Sequence, residues 1–386
     1  MCENINNFTN CKLSDSARDI IYHMYYPFGV INTAVAIIGI IMNSLTVYVL
    51  RSKINKKILF NDLLAALLIL SNIFLGIRIL NSFMFDFNFK ELHKVYHFLI
   101  YPFEKMTFTS CIFLIVAIVH QRWVVISSPI RHKQVTSSKE SRRKRALFYI
   151  LPSIGCAVMF NIPKFLSYQY NEVTQKHEQT DLRQNYHFVI LYENLFCNVM
   201  NAFVPITLLI FFNWNVYNHI KTQKNEMAKT IAEIKRAHPS FKLQKEIRVE
   251  TRDIHPDSTL GRQQTKRRKI EDRNRNHTII LFTSILVFII CHSFNCLKEF
   301  YDDFCEPFPI KVMQILSRLL LILHSSSYPF IYIWKNAEFR LQLKKLYRDI
   351  IVCECKQGSF SRTNADSEKS TSISSANRPG NHVISD

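Results

Sequence analysis

The sequence predicts an all-α membrane protein, a bundle of seven transmembrane helices followed by a short amphipathic helix on the membrane surface. Three observations carry this expectation. Apolar residues are segregated into seven long blocks, each near the roughly 20 residues that cross the hydrocarbon core of a bilayer. Charged residues gather in the gaps, whereas a soluble domain mixes the two on the scale of a helical turn. The cations, 49 Lys+Arg against 30 Asp+Glu, concentrate in alternate gaps. That marks membrane orientation rather than nucleic-acid binding.

Residues 1–27 are polar, with Asn4, Asn6, Asn7, Asp15 and Asp19. They lack the basic start and apolar run of a cleavable signal, so the first span is expected to act as its own insertion signal. That span is 28–50, interrupted by Gly39, Asn32, Asn43 and Ser44. The second, 59–80, carries Ser71 and Asn72 in its middle and Asp62 and Arg78 near its ends. The third, 99–126, closes on His120, Gln121, Arg122 and Trp123. An arginine at such a position either reaches the membrane surface or has a functional partner. The fourth to seventh spans are 146–168, 187–212, 277–298 and 309–334. Each can satisfy its own backbone as a helix, as lipid demands.

Orientation follows from the gaps. Arg51, Lys53, Lys56 and Lys57 follow span one; Arg131, Lys133, Lys139, Arg142, Arg143, Lys144 and Arg145 follow span three; Lys266, Arg267, Arg268 and Lys269 precede span six. The other loops hold Asp86, Glu91, Glu172, Glu178, Asp181, Asp302, Asp303 and Glu306. The positive-inside rule therefore places the N-terminus outside and the tail in the cytosol of a multi-pass plasma-membrane protein. Asn7 opens an Asn-x-Thr sequon on the outer side, a glycosylation site.

The expected domains are an extracellular segment 1–27, a membrane domain 28–334 with a long cytosolic loop 218–275, an amphipathic helix 335–350 and a disordered Ser-rich tail 351–386. The long loop is expected to extend helices five and six around a mobile middle near His238, Pro239 and Pro256. Cys353 and Cys355 are either palmitoylation sites or free cytosolic thiols. The tail serines are expected to be phosphorylatable.

This architecture resembles the rhodopsin-like receptors coupled to G proteins, over nearly the whole chain. Gln121-Arg122-Trp123 stands where that family has Asp-Arg-Tyr, with Pro129 following. Tyr328-Pro329-Phe330-Ile331-Tyr332 stands where it has Asn-Pro-x-x-Tyr, with Phe339 at the family's spacing beyond. Asn43 and Pro205 match the first-span asparagine and fifth-span proline. Shorter segments, Asn161 to Phe165, Ile100 to Pro102, Phe211 to Asn213 and Cys291 to Phe294, resemble FMRFamide-type neuropeptide receptors of invertebrates, particularly divergent nematode members.

The resemblance implies a heterotrimeric G protein at the cytosolic end, engaged through Arg122, Gln121, Trp123, Asn213, Pro329 and Tyr332, with kinase and arrestin acting on the tail. Tyr332 as simple packing stays open. Glu104 lies eighteen residues before Arg122, roughly five turns or about 27 Å up the same face. With Glu193 and Glu299 it is expected to line an outward cavity. A peptide ending in Arg-Phe-amide suits that cavity, its guanidinium on a carboxylate and its ring on Phe98, Phe103 or Phe294. For Glu104 the alternative is a partner on Lys105 or another helix. His292, in place of the family's tryptophan, is a satisfied bundle histidine or a packing toggle.

Departures from the family carry expectations of their own. Ser71 or Asn72 replaces the mid-span aspartate, and Cys111 and Tyr328 are uncharged, so no sodium-dependent affinity is expected. The usual outer disulfide is absent, leaving Cys2, Cys11 and Cys305 as candidates for another bridge. Gln121 in place of aspartate offers a weaker partner to the arginine, which predicts raised basal signalling. The same architecture also serves a chemosensory receptor for small molecules or a non-signalling decoy. The internal repeats and broken paired spans of transporters are missing, and no nucleophile, base and orienting group can be assembled for an enzyme. Neither a metal nor a cofactor is called for.

Overall fold

The computed structural model of the protein describes residues 15–51, 59–85, 96–128, 138–171, 176–237, 279–280, 282–294, 307–335, 339–345 and 348. Helix α1 spans Asp15–Leu50, α2 Leu59–Phe85, α3 Tyr101–Ser127 and α4 Lys139–Phe165. Strands β1 (Tyr168–Asn171) and β2 (Lys176–Gln179) follow, then the short helix α5 (Asp181–Gln184). Two π-helical stretches, Phe188–Phe196 and Val199–Phe203, lead into α6 (Val204–Ala237). Helix α7 covers Phe282–Phe294 and α8 Pro307–Lys335.

Five of these helical stretches are long and apolar enough to cross a membrane: Tyr26–Leu50, Leu59–Phe83, Tyr101–Ser127, Glu140–Phe165 and Val199–Gln223. The described part of the sixth expected span is the shorter apolar Phe282–Phe294. The seventh is long enough at 29 residues. It is less apolar because its buried face carries Ser317, His324, Ser325 and Ser326. Helix α3 sits at the centre, packed against α2, α4 and α6, while α1 packs against α2 and α8.

The boundaries follow local chemistry. Helix α1 starts thirteen residues before the expected 28, so Pro27 falls inside it. Helix α4 begins in the basic gap, because Ser138 caps it: its Oγ accepts the Ser141 backbone N–H at 3.0 Å. Helix α6 runs on to Ala237, extending helix five as expected. Residues 238–278 lie outside the described residues, as does the tail from 349 on.

Two prolines account for two of the three π-helical stretches among the described residues. Pro102 and Pro205 each follow a π-helical stretch, Tyr96–Ile100 and Val199–Phe203. A proline donates no hydrogen bond and crowds the carbonyl one turn earlier. A π turn takes up that misfit by adding a residue to the ring.

The hairpin is a local surprise in an all-helical expectation. Its strands are antiparallel, pairing Tyr168 with Gln179 and Asn171 with Lys176. Thr180 ties it to the end of α4, donating its hydroxyl to the Leu166 carbonyl at 2.7 Å and its N–H to the Ser167 carbonyl at 3.2 Å. Separately, 339–345 is helical, within the expected surface helix.

Candidate functional site

Near the end of the bundle that carries the hairpin, Glu104 is buried at 8% exposure. Its carboxylate accepts from Arg78 Nη1 at 2.7 Å and from Asn81 Nδ2. Both donors come from α2, one turn apart, so they approach Glu104 together. The Arg78 guanidinium also lies 5.7 Å from the Phe74 ring centroid. Glu104 therefore has the helix partner that the sequence left open, and that partner is Arg78 rather than Lys105. A buried carboxylate held by two donors is satisfied and neutralised in place.

Glu193 has a second arginine. Arg183, on α5, pairs with it at 3.3 Å and lies 4.5 Å over the Tyr168 ring. Burial raises the Tyr168 hydroxyl above its ordinary range while Arg183 pulls it back, so the ring is a neutral platform for the cation. This pair differs from the first in position: it joins a loop helix to the start of the fifth span and stands nearer to solvent, with side-chain exposures of 20% and 14%.

The other expected ligand residues divide. Phe103 points to the α4 side, 40% exposed and edge-on to Phe165 at 5.6 Å. Glu299 and the side chain of Phe98 lie outside the described residues. His292 is buried at the middle of the bundle. Its ring stacks on Phe108 at 5.1 Å and on Phe288 at 3.9 Å, with His324 perpendicular at 5.4 Å. That geometry favours packing over ligand contact. Below it Tyr328 and His324 share a hydrogen bond at 3.0 Å, and Ser71 meets Cys111 at 4.0 Å.

At the opposite end, Gln121 and Arg122 are both buried. The Arg122 guanidinium carbon lies 3.8 Å above the centroid of Phe60. Trp123 packs on His120 and Phe212, each at 5.7 Å. Tyr332 donates to Asn61 Oδ1 at 3.5 Å, and Asn213 donates to the Leu209 carbonyl of its own helix. Asn43 reaches across to the Ser325 carbonyl at 3.3 Å, and Pro205 and Pro329 are buried. An arginine, a tyrosine and a proline-bearing helix thus converge on one end of the bundle. The carboxylate–arginine pairs converge on the other.

A family model described as 7 transmembrane receptor (rhodopsin family) matches residues 11–332. The chain belongs to the rhodopsin family of seven-transmembrane receptors. The receptor is also similar to the adenosine receptor A2b of Gallus gallus, 21% identical over 278 residues that cover 71% of this chain and 74% of that one. Family membership makes it a multi-pass membrane protein and a receptor, not an enzyme, that answers a ligand and couples to a G protein. The relative named is an adenosine receptor; the FMRFamide-type resemblance rests on four short segments of sequence.

Sequence reasoning missed Arg78, Asn81, Arg183 and Phe60 in this receptor. Arg78 was visible as a charge inside a span, which is functional by default, but its partner was not. The mid-bundle cluster of Ser71, Cys111, His324 and Tyr328 holds no carboxylate among the described residues. Ligand affinity of the purified receptor is therefore expected to stay flat as sodium replaces a bulky organic cation at constant ionic strength. A clear sodium-dependent shift would contradict it.

Proposed function

We propose that this receptor responds to an extracellular peptide, of the type ending in Arg-Phe-amide, and passes the signal to a heterotrimeric G protein. The observation that supports this most is the Glu193–Arg183 pair, a carboxylate already arranged to accept a guanidinium and covered by a loop arginine. A ligand arginine takes the place of Arg183 on Glu193 and frees the hairpin segment above it. Glu104, held by two donors from α2, supports the wall of the site rather than binding the ligand. The phenyl ring of the peptide then reaches the aromatic residues below, Phe108 above all, which roofs His292.

In this reading the N-terminus, with Asn7 glycosylated, is outside. Arg122, Gln121, Trp123, Asn213, Pro329 and Tyr332 form the G-protein end, and the tail meets kinase and arrestin. Cys353 and Cys355 anchor the segment after the last span to lipid. Asn7, the cysteines and the tail lie outside the described residues. Ligand shifts the population between two packings of the helices by preferring one of them. A second reading, a small-molecule receptor, is favoured by the similarity to an adenosine receptor.

Both are tested by challenging cells that express the full chain with amidated peptides and, separately, adenosine, reading calcium and cyclic AMP. A response to peptides ending in Arg-Phe-amide is expected, and Glu193→Gln should weaken it about fivefold, since charge-assisted hydrogen bonds are about twice as strong as neutral ones, which contribute about 1 kcal/mol. The same peptide with citrulline for arginine should lose no further potency on that variant. Silence to every peptide with a response to adenosine would reverse the order of the two readings.

A further inference from the structure

Arg122 is a cation buried near the end of α3, where the bundle must supply it with a favourable contact. Its neighbour Gln121 carries no charge, and the nearest carboxylate on α2, Asp62, is engaged by Arg142 of α4 at 3.0 Å. The guanidinium carbon lies over the ring of Phe60 on the second helix, 3.8 Å from its centroid. Both partners are buried, Arg122 at 6% exposure and Phe60 at 1%. The face of a phenyl ring is negative, so a cation this close is attracted to it, and more strongly where water is excluded.

The surroundings of the ring are mostly apolar. Phe60 forms one wall of a cavity of about 20 Å³ lined by Leu64, Leu67, Ile115, Ile118 and Tyr332 among others. The surface facing this cavity is apolar, so it offers the guanidinium no competing polar contact. The ring is thus fixed by packing on one side and offers its charge-bearing face to Arg122 on the other. Any cytosolic partner must draw a 6%-exposed arginine out of this position before touching it.

We propose that Phe60 is the positioning residue that holds Arg122 in the resting receptor, through a cation–π contact that breaks on activation; this rests on the assignment of Arg122 to the G-protein end made above. The strength of the contact is set by the electron density of the ring and not by its shape alone, which separates it from ordinary packing.

The test replaces Phe60 in the full-length receptor with phenylalanine carrying one, two or three ring fluorines. The ring keeps nearly its size while its face loses negative charge. Ligand-free nucleotide exchange is measured on a mixture of purified heterotrimeric G proteins of the main classes. Exchange is expected to rise stepwise with each fluorine, by about fivefold to thirtyfold over the series, the range a desolvated cation–π contact represents. In an Arg122→Leu background the fluorine resonance at position 60 should move, because the cation over the ring is gone.

A flat series in a receptor with measurable basal exchange overturns the proposal. So does a series that rises equally without Arg122. Where basal exchange is too slow to measure, the fluorine resonance decides: an unchanged shift on Arg122→Leu overturns the contact. If Arg122→Leu leaves basal and ligand-stimulated exchange intact, the assignment of Arg122 fails instead, and the fluorine shift still reports whether the contact exists.

Discussion

Replacing Arg78 by methionine is expected to destabilise the receptor by about 3–5 kcal/mol, the range for breaking a buried ion pair by removing one partner. The reason lies at Glu104. Its carboxylate is 8% exposed and takes a 2.7 Å hydrogen bond from Arg78. Without that bond Asn81 is the remaining donor among the described residues, and a carboxylate buried in a bundle interior with one neutral donor is badly under-compensated. The double variant Arg78→Met with Glu104→Gln removes both charges. It should recover most of the loss, because the gain of a buried pair is largely cancelled by its desolvation. Apparent melting temperatures of the purified receptor check this; a single variant as stable as the double would show that the pair is not the source of the effect. The same result would bear on ligand recognition, since an acid needed by its own helix bundle is not free to meet a peptide.

Enlarging Gly39 is the second substitution with a large expected effect. Helices α1 and α8 approach so closely there that a Cβ on residue 39 would stand 2.1 Å from Ser326 Oγ, 2.8 Å from Ser326 Cβ and 3.0 Å from a Leu75 methyl. The serine hydroxyl can rotate away, but its Cβ is fixed to the helix. Gly39→Ala therefore forces the two helices apart and should lower stability by about 1–3 kcal/mol, as overpacking in a close-packed interior does. Gly39→Val should be worse. Combining Gly39→Ala with Ser326→Gly removes the two nearest obstructing atoms and should recover part of the lost melting temperature, the new helical glycine costing about 0.5–1 kcal/mol of its own. If Gly39→Ala alone melted like the parent, the close approach would not hold in solution. The contact matters beyond stability: Ser325, beside Ser326, takes the amide of Asn43 on its carbonyl at 3.3 Å.

The two faces of the third span show how far a single helix can be read. Glu104 and Arg122 stand about five turns apart, and both are buried in the bundle as the helical repeat requires. The expected role of Arg122 remains a proposal that the geometry supports. For Glu104 the periodicity named the face but not the occupant, and α2 supplied Arg78. The hairpin after α4 escaped the sequence reading for a different reason. Its strands are four residues each, too short for an alternating pattern to stand out, and they are fixed by the tie from Thr180 back to Leu166 and Ser167. The π-helical stretches before Pro102 and Pro205 were equally hidden, since the prolines announce a misfit without saying how the backbone absorbs it.

The sequence by itself determined the fold class, the places of the apolar spans and the arginine at the end of the third. Those follow from hydropathy and helical period, which are local properties of the chain. Only the tertiary structure decided which charges meet. Arg78 and Glu104 are twenty-six residues apart on different helices, and Arg122 lies over the ring of Phe60, sixty-two residues earlier. Such pairings depend on the rotation and axial offset of one helix against another, which are set by packing across the whole bundle and leave no trace in either segment alone.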